Sequence, residues 1–221
     1  MAKKCLIILV LVFVIAGTAF AQPEFRISAG AGAYFTSDFG GGVTATEIGW
    51  RTTITAPYVG GGGFIFLDLT FVELSLGFFG GGGDLTVEEV GGGLTVTARE
   101  NFSLTGIDIG LLGKYPFVVN NYLTVFPIFG ITYRAILSGN LAGERLSSPE
   151  DMSALWFRFG GGLDRSFNDN VFLRAGILYG LRLSSRDERD TANILNDIPG
   201  VSTRTRLGHG LEIKFAIGHR F

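Results

Sequence analysis

The last fifteen residues, LGHGLEIKFAIGHRF at 207–221, alternate large apolar residues with small or charged ones without a break. Leu207, His209, Leu211, Ile213, Phe215, Ile217, His219 and Phe221 fall on odd positions, and Gly208, Gly210, Glu212, Lys214, Ala216, Gly218 and Arg220 on even ones. A period of two sends the two sets to opposite faces of a β-strand. One face is apolar and the other is small or charged. A helix would scatter both sets around its circumference.

The same pattern fills the chain upstream. At 25–35, Phe25, Ile27, Ala29, Ala31, Ala33 and Phe35 oppose Arg26, Ser28, Gly30, Gly32 and Tyr34. A second segment at 58–67 turns near Asp68 into a third, where Val72, Leu74, Leu76 and Phe78 oppose Glu73, Ser75 and Gly77. In the fourth, at 102–115, Ile107, Ile109, Leu111 and Tyr115 face away from Asp108, Gly110, Leu112 and Lys114. The fifth, at 122–137, sets Leu123, Val125, Phe129, Ile131 and Tyr133 against Thr124, Gly130, Thr132 and Arg134. Pro127 within it lacks a ladder donor and predicts a bulge or local break. The sixth, at 154–167, and the seventh, at 171–183, repeat the alternation around Arg158, Asp164 and Arg174.

Connection lengths alternate too. Short turns are expected near Asp68, at 116–121 and at 168–170, and long loops at 36–57, 80–101, 138–153 and 184–204. Eight strands with short turns at one end and long loops at the other predict an all-β, antiparallel, up-and-down barrel.

Composition decides what surrounds the barrel. The 221 residues include 34 Gly, are 47% hydrophobic and only 17% charged, where a soluble domain carries about 25% charge. The glycines come in GGG runs with no triplet period, which excludes collagen. The aromatic content of 13% excludes disorder, and a formal net charge of −2 argues against nucleic acid as partner. The chain opens with Lys3 and Lys4, an apolar run from Leu6 to Ile15, and Ala19-Phe20-Ala21. These are the parts of a cleaved signal peptide, residues 1–21, with the barrel spanning 22–221. Its loss removes Cys5 and leaves 16 basic against 20 acidic residues, a net charge of −4.

The polar faces are charge mixed with Gly, Ser and Thr, and glycines would cover little as a soluble exterior. They suit a narrow interior in which small residues leave room for long charged ones, so the apolar faces meet lipid. The lumen charge network expected from this assignment is Glu73, Asp108, Asp164 and Glu212 against Lys114, Arg158, Arg174 and Lys214. Aromatics near strand ends predict two interfacial girdles: Tyr34, Phe35, Tyr58, Phe78, Phe102, Tyr133 and Tyr179 towards the long loops, and Phe25, Phe71, Tyr115, Phe117, Tyr122, Phe167 and Phe221 towards the short turns.

Over residues 22–221 the chain resembles the small eight-stranded outer-membrane barrels typified by the membrane domain of outer membrane protein A. The tail carries the resemblance, with Leu211, Ile213, Phe215, Ile217 and His219 leading to a terminal Phe221. The resemblance implies that this tail is an assembly signal read by the outer-membrane barrel-assembly machinery. It also implies outer-membrane lipids as the surroundings and a monomeric barrel. In departure from that family, no soluble C-terminal domain for gripping peptidoglycan is expected.

Catalysis needs a base, and His209 and His219 both fall on the predicted lipid face without a paired nucleophile and acid. No catalytic, cofactor-binding or metal-binding set is expected. The loops hold mostly acidic residues, among them Arg186-Asp-Glu-Arg-Asp190, which lacks the spacing of a calcium loop. The expected role is structural or surface-exposed, with the lumen plugged by ion pairs. The alternatives are a narrow pore gated by exchange of lumen pairs, and an adhesin acting through the external loops.

Overall fold

The computed structural model describes residues 25–39, 41–47, 49–185 and 202–221. The expected leader, the expected cleavage site after Ala21 and most of the fourth long connection lie outside them. Among the described residues there are thirteen strands: β1 (Ser28–Phe39), β2 (Gly42–Glu47), β3 (Trp50–Thr55), β4 (Tyr58–Asp68), β5 (Val72–Gly91), β6 (Leu94–Lys114), β7 (Phe117–Asn120), β8 (Leu123–Leu141), β9 (Glu144–Arg145), β10 (Ala154–Ser166), β11 (Val171–Ser185), β12 (Ser202–Arg206) and β13 (His209–Arg220).

Eight of them close a ring. Following the antiparallel pairings from β1 leads through β4, β5, β6, β8, β10, β11 and β13 and back to β1. Closure leaves the ring without an edge, which a membrane-spanning sheet requires because lipid satisfies no backbone group. Ala31 pairs with Ile217 and Tyr34 with Lys214 across the seam, and the Phe221 amide donates to the Ile27 carbonyl at 2.9 Å. The alternating tail is therefore the strand that shuts the barrel.

The exterior is apolar and open. Ile65, Leu76, Ile109, Ile131, Ile177, Phe215 and Ile217 point outward and are 44–59% exposed. A belt of this size on a monomer is far beyond the few hundred Å² that water-soluble surfaces tolerate. Lipid is its solvent.

The structure corrects several expectations. Tyr34, Tyr58 and Phe102 do not belong to the outer girdle; they point inward and are 2%, 4% and 8% exposed. Phe35, Phe78 and Tyr133 do face out on that side, and Phe25, Phe71, Tyr122, Phe167 and Phe221 are exposed at the other rim. Pro127 causes no bulge, since it pairs with Gly161 in unbroken register. It sits where β8 passes from pairing with β6, which ends at Ile128, to pairing with β7, which begins at Val125. Its missing donor thus falls in a gap between neighbours. The bulge in β8 lies instead opposite Thr105 and Gly106.

Two of the long loops are mostly strand. Residues 36–57 contain the hairpin β2–β3, and 80–101 are the continuing ladder of β5 and β6. That ladder turns at Gly92 and Gly93, whose φ values of 57° and 81° lie in the left-handed region that glycine adopts without steric cost. The turn expected at 116–121 likewise contains the short strand β7.

The glycines also have a different use from the one expected. A Cβ added to Gly30 would lie 2.6 Å from the Phe66 ring, one on Gly162 2.5 Å from Phe126, and one on Gly218 2.3 Å from Phe172. The small residues seat aromatic rings that fill the lumen, rather than making room mainly for charged chains. Phe66, Phe79 and Phe172 pack with Tyr34, Tyr58 and Phe64 into one buried cluster, and Phe126 packs with Leu112, Ile128 and Leu178 into another.

Candidate functional site: a charged and aromatic lumen

Period-two alternation delivers the lumen residues of all eight ring strands to the axis in three storeys. The storey beside the short turns is built on Arg174 of β11. Its Nε and Nη2 donate to the Asp164 carboxylate at 2.7 and 2.8 Å, its Nη1 to Glu73 at 2.6 Å, and its Nη2 also to Asp68 at 2.5 Å. Lys114 donates to the same oxygen of Asp68. Three acids and two bases thus meet within one buried cross-section. Aromatic faces line it, with the Arg174 guanidinium 4.6 Å from the Phe66 centroid and the Lys114 ammonium 4.5 Å from that of Phe126. Each contact sets a cation against the negative face of a ring.

In the middle storey Glu212 pairs with Arg158 at 2.7 Å and Lys214 at 3.1 Å. Arg158 is fully buried. The outer storey is built on Arg134, which grips Asp108 through two parallel bonds of 2.9 and 3.0 Å and reaches Asp38 at 2.7 Å. Two parallel bonds are the strong, geometrically specific form of an arginine–carboxylate contact. The Tyr34 hydroxyl donates to Asp108 at 2.9 Å, and the Phe79 ring lies 4.7 Å from the Arg134 guanidinium.

All eight expected lumen charges, Glu73, Asp108, Lys114, Arg158, Asp164, Arg174, Glu212 and Lys214, occupy these storeys. Sequence reasoning left out Asp38, Asp68 and Arg134. Asp38 was assigned to a loop and Asp68 to a turn, yet both share the even parity of the inward residues of their strands. Arg134 stands on the inward face of the fifth segment in the sequence but was not counted in the lumen network. Parity carried further along their strands includes Asp38 and Asp68, and counting every inward charge includes Arg134.

Below the first storey the barrel opens into a polar vestibule of about 560 Å³, lined by Asp68, Lys114, Asp164, Asn120, Tyr122 and Arg220 among others. Its floor is the Arg174 storey. His209 and His219 stand on the outer wall, where His209 Nδ1 shares a 2.5 Å hydrogen bond with the Tyr179 hydroxyl and the His219 ring lies 5.0 Å from Phe221. The other tail positions, Leu211, Ile213, Phe215 and Ile217, line the same wall of β13.

A closed antiparallel ring, an apolar exterior and a charged interior describe an outer-membrane barrel, and residues 6–205 match the family described as the outer membrane protein beta-barrel domain. The chain belongs to this family. Members of the outer-membrane β-barrel domain family reside in the outer membrane, and so does this chain. No curated protein matches it. Among solved structures it is similar to the outer membrane protein OprG from Pseudomonas aeruginosa, at 10% identity over 91% of this chain and 98% of that one, with a TM-score of 0.45. It is also similar to Ail, the attachment invasion locus protein of Yersinia pestis, at 14% identity over 90% and 100%, TM-score 0.38. A third is the outer membrane protease OmpT from Escherichia coli, at 8% identity over 90% and 99%, TM-score 0.39. None of these likenesses carries an activity over to this outer-membrane barrel.

Proposed function

We propose that the protein is a closed, non-catalytic barrel with a structural or surface-exposed role, its lumen plugged by ion pairs. The observation that carries this reading is occlusion. Arg174 is tied to three carboxylates from three other strands, and the Phe66, Phe126 and Phe172 rings fill the space around it. Eight-stranded barrels are just wide enough to be filled by side chains. An ion would have to displace a whole storey of mutually satisfied charges to pass. The refolded protein in a planar bilayer is therefore expected to stay silent across a range of voltages, and resolved unitary currents would replace this reading with a gated pore.

The tail serves assembly in this reading. The Phe221 ring is 79% exposed and contributes little burial to the folded state. Phe221→Ser is thus expected to slow insertion by the assembly machinery several-fold more than it slows spontaneous refolding of the same variant into lipid. Equal slowing of spontaneous refolding without the machinery would remove the signal role.

A further inference from the structure

On one side of the barrel the wall continues beyond the membrane. β4, β1 and β13 end at the outer rim, and β3, β2 and β12 stand in the same order above them, joined to the outer halves of β5 and β6. The β5–β6 ladder runs into this half-wall without a register shift, so inward and outward faces are defined along its whole height. The pairings then sort its side chains. One row across the outward face runs Arg206, Gly42, Thr55, Thr86, Arg99; the next runs Arg204, Thr44, Thr53, Glu88, Thr97; a third runs Ser202, Thr46, Arg51, Val90, Thr95. The outward face therefore carries four arginines, all exposed, with Asp84 and Glu88 as its acids. The inward face carries Glu47, Glu89 and Glu100 and, among the described residues, no lysine or arginine. In a chain of formal net charge −2 this is a segregation of charge by face.

The outward face is continuous with the lipid-facing wall. Arg206 directly precedes Leu207, which is 51% exposed, and Gly42 lies three residues beyond Phe39, which is 44% exposed. We propose that this face binds the phosphate groups of glycolipid headgroups in the outer leaflet. Guanidinium groups recognise phosphate through paired bonds, and the exposed Thr46, Thr95 and Thr97 on the same face add hydroxyls that bond either phosphate oxygens or sugar hydroxyls. One exposed arginine contributes little; four on one surface share a polyvalent partner. The membrane supplies that partner because the same wall, a few residues below, is already in its acyl layer. The proposal is independent of whether the lumen conducts.

The test uses the refolded full-length chain in zwitterionic nanodiscs, titrated with bisphosphorylated lipid A bearing its inner-core sugars and, separately, with the dephosphorylated form. Bound lipid is counted by native mass spectrometry, and a heat-dependent shift in gel mobility verifies closure of every variant. The parent is expected to retain the phosphorylated lipid at least tenfold more strongly than the dephosphorylated one. R51Q/R99Q/R204Q/R206Q is expected to lose that preference, and E47Q/E89Q on the inward face to keep it. Equal retention by the arginine variant would overturn the proposal, as would no preference for the phosphorylated form. Binding of a soluble, acyl-free phosphorylated core oligosaccharide as tightly as the lipid would also overturn it, by showing that the face takes soluble anions.

Discussion

Arg174→Met is expected to lower the unfolding free energy of the refolded barrel by about 3–5 kcal/mol, the usual cost of removing one partner from a buried ion pair. The reason is local. Asp68, Glu73 and Asp164 are 2%, 3% and 6% exposed, and without Arg174 the cation left hydrogen-bonded to them among the described residues is Lys114. Two of the three carboxylates would then stay charged without a partner or take up a proton, and both alternatives cost free energy. Arg174→Lys should recover little, because one ammonium cannot reproduce a planar fork that meets three carboxylates at once. The compensated variant R174M/E73Q/D164N should recover most of the loss, since it leaves Asp68 paired with Lys114. Urea titration followed by tryptophan fluorescence measures all three. A loss below about 1 kcal/mol for Arg174→Met, the range of exposed pairs, would mean that water from the vestibule already solvates the carboxylates. The storey would then not be a dry plug, and the closed-barrel reading would lose its main support.

How much of this was legible in the sequence follows from parity. Alternation in 207–221 fixes the face of every residue in β13, including Glu212 inside and His209 outside, because a strand pleat leaves no other choice. The errors arose where a second rule overrode parity. Tyr34 shares a face with Gly30 and Gly32, yet strand-end position was allowed to assign it to a lipid girdle; it hydrogen-bonds Asp108 in the lumen instead. Asp68 was given to a turn because it ends a segment, although turns at barrel rims are made by the residues after the last inward side chain. The partners of each charge were not legible. Arg174 meets Asp164 through the adjacent ladder, but it meets Glu73 and Asp68 across the barrel, and that distance depends on closure and stagger, which no single segment encodes. The half-wall was partly legible: 42–47 alternate Thr with Val and Ala, and 50–55 are rich in Thr with Ile54, on either side of Gly49, a hairpin signal that the expectation of a loop concealed.

Glycines on the inward parity of the strands carry the second large effect. Glycine weakens a strand by losing entropy on folding and offering no side chain to pack, so a lumen rich in it needs compensation from elsewhere. Phe172 shows the form that compensation takes. Its ring is fully buried, covers the bare backbone of Gly218 on the neighbouring strand, touches the Phe66 ring at a centroid distance of 6.3 Å, and lies 4.7 Å beneath the Arg220 guanidinium. Gly218, Phe66 and Arg220 hold it on three sides. Gly218→Val puts a Cβ 2.3 Å from the ring, and the expected cost is at least the roughly 1–3 kcal/mol of an overpacked core. Phe172→Ala leaves a void and is expected to cost about 3–5 kcal/mol. Together the two changes should cost less than their sum, because the valine enters the space the ring vacates, with a coupling of about 0.5–3 kcal/mol typical of residues in contact. Strict additivity in that double-mutant cycle would show that Gly218 is small for some reason other than Phe172. Coupling would establish that glycine and aromatic ring form one packing unit, and that the unusual glycine content is the counterpart of a lumen filled with rings.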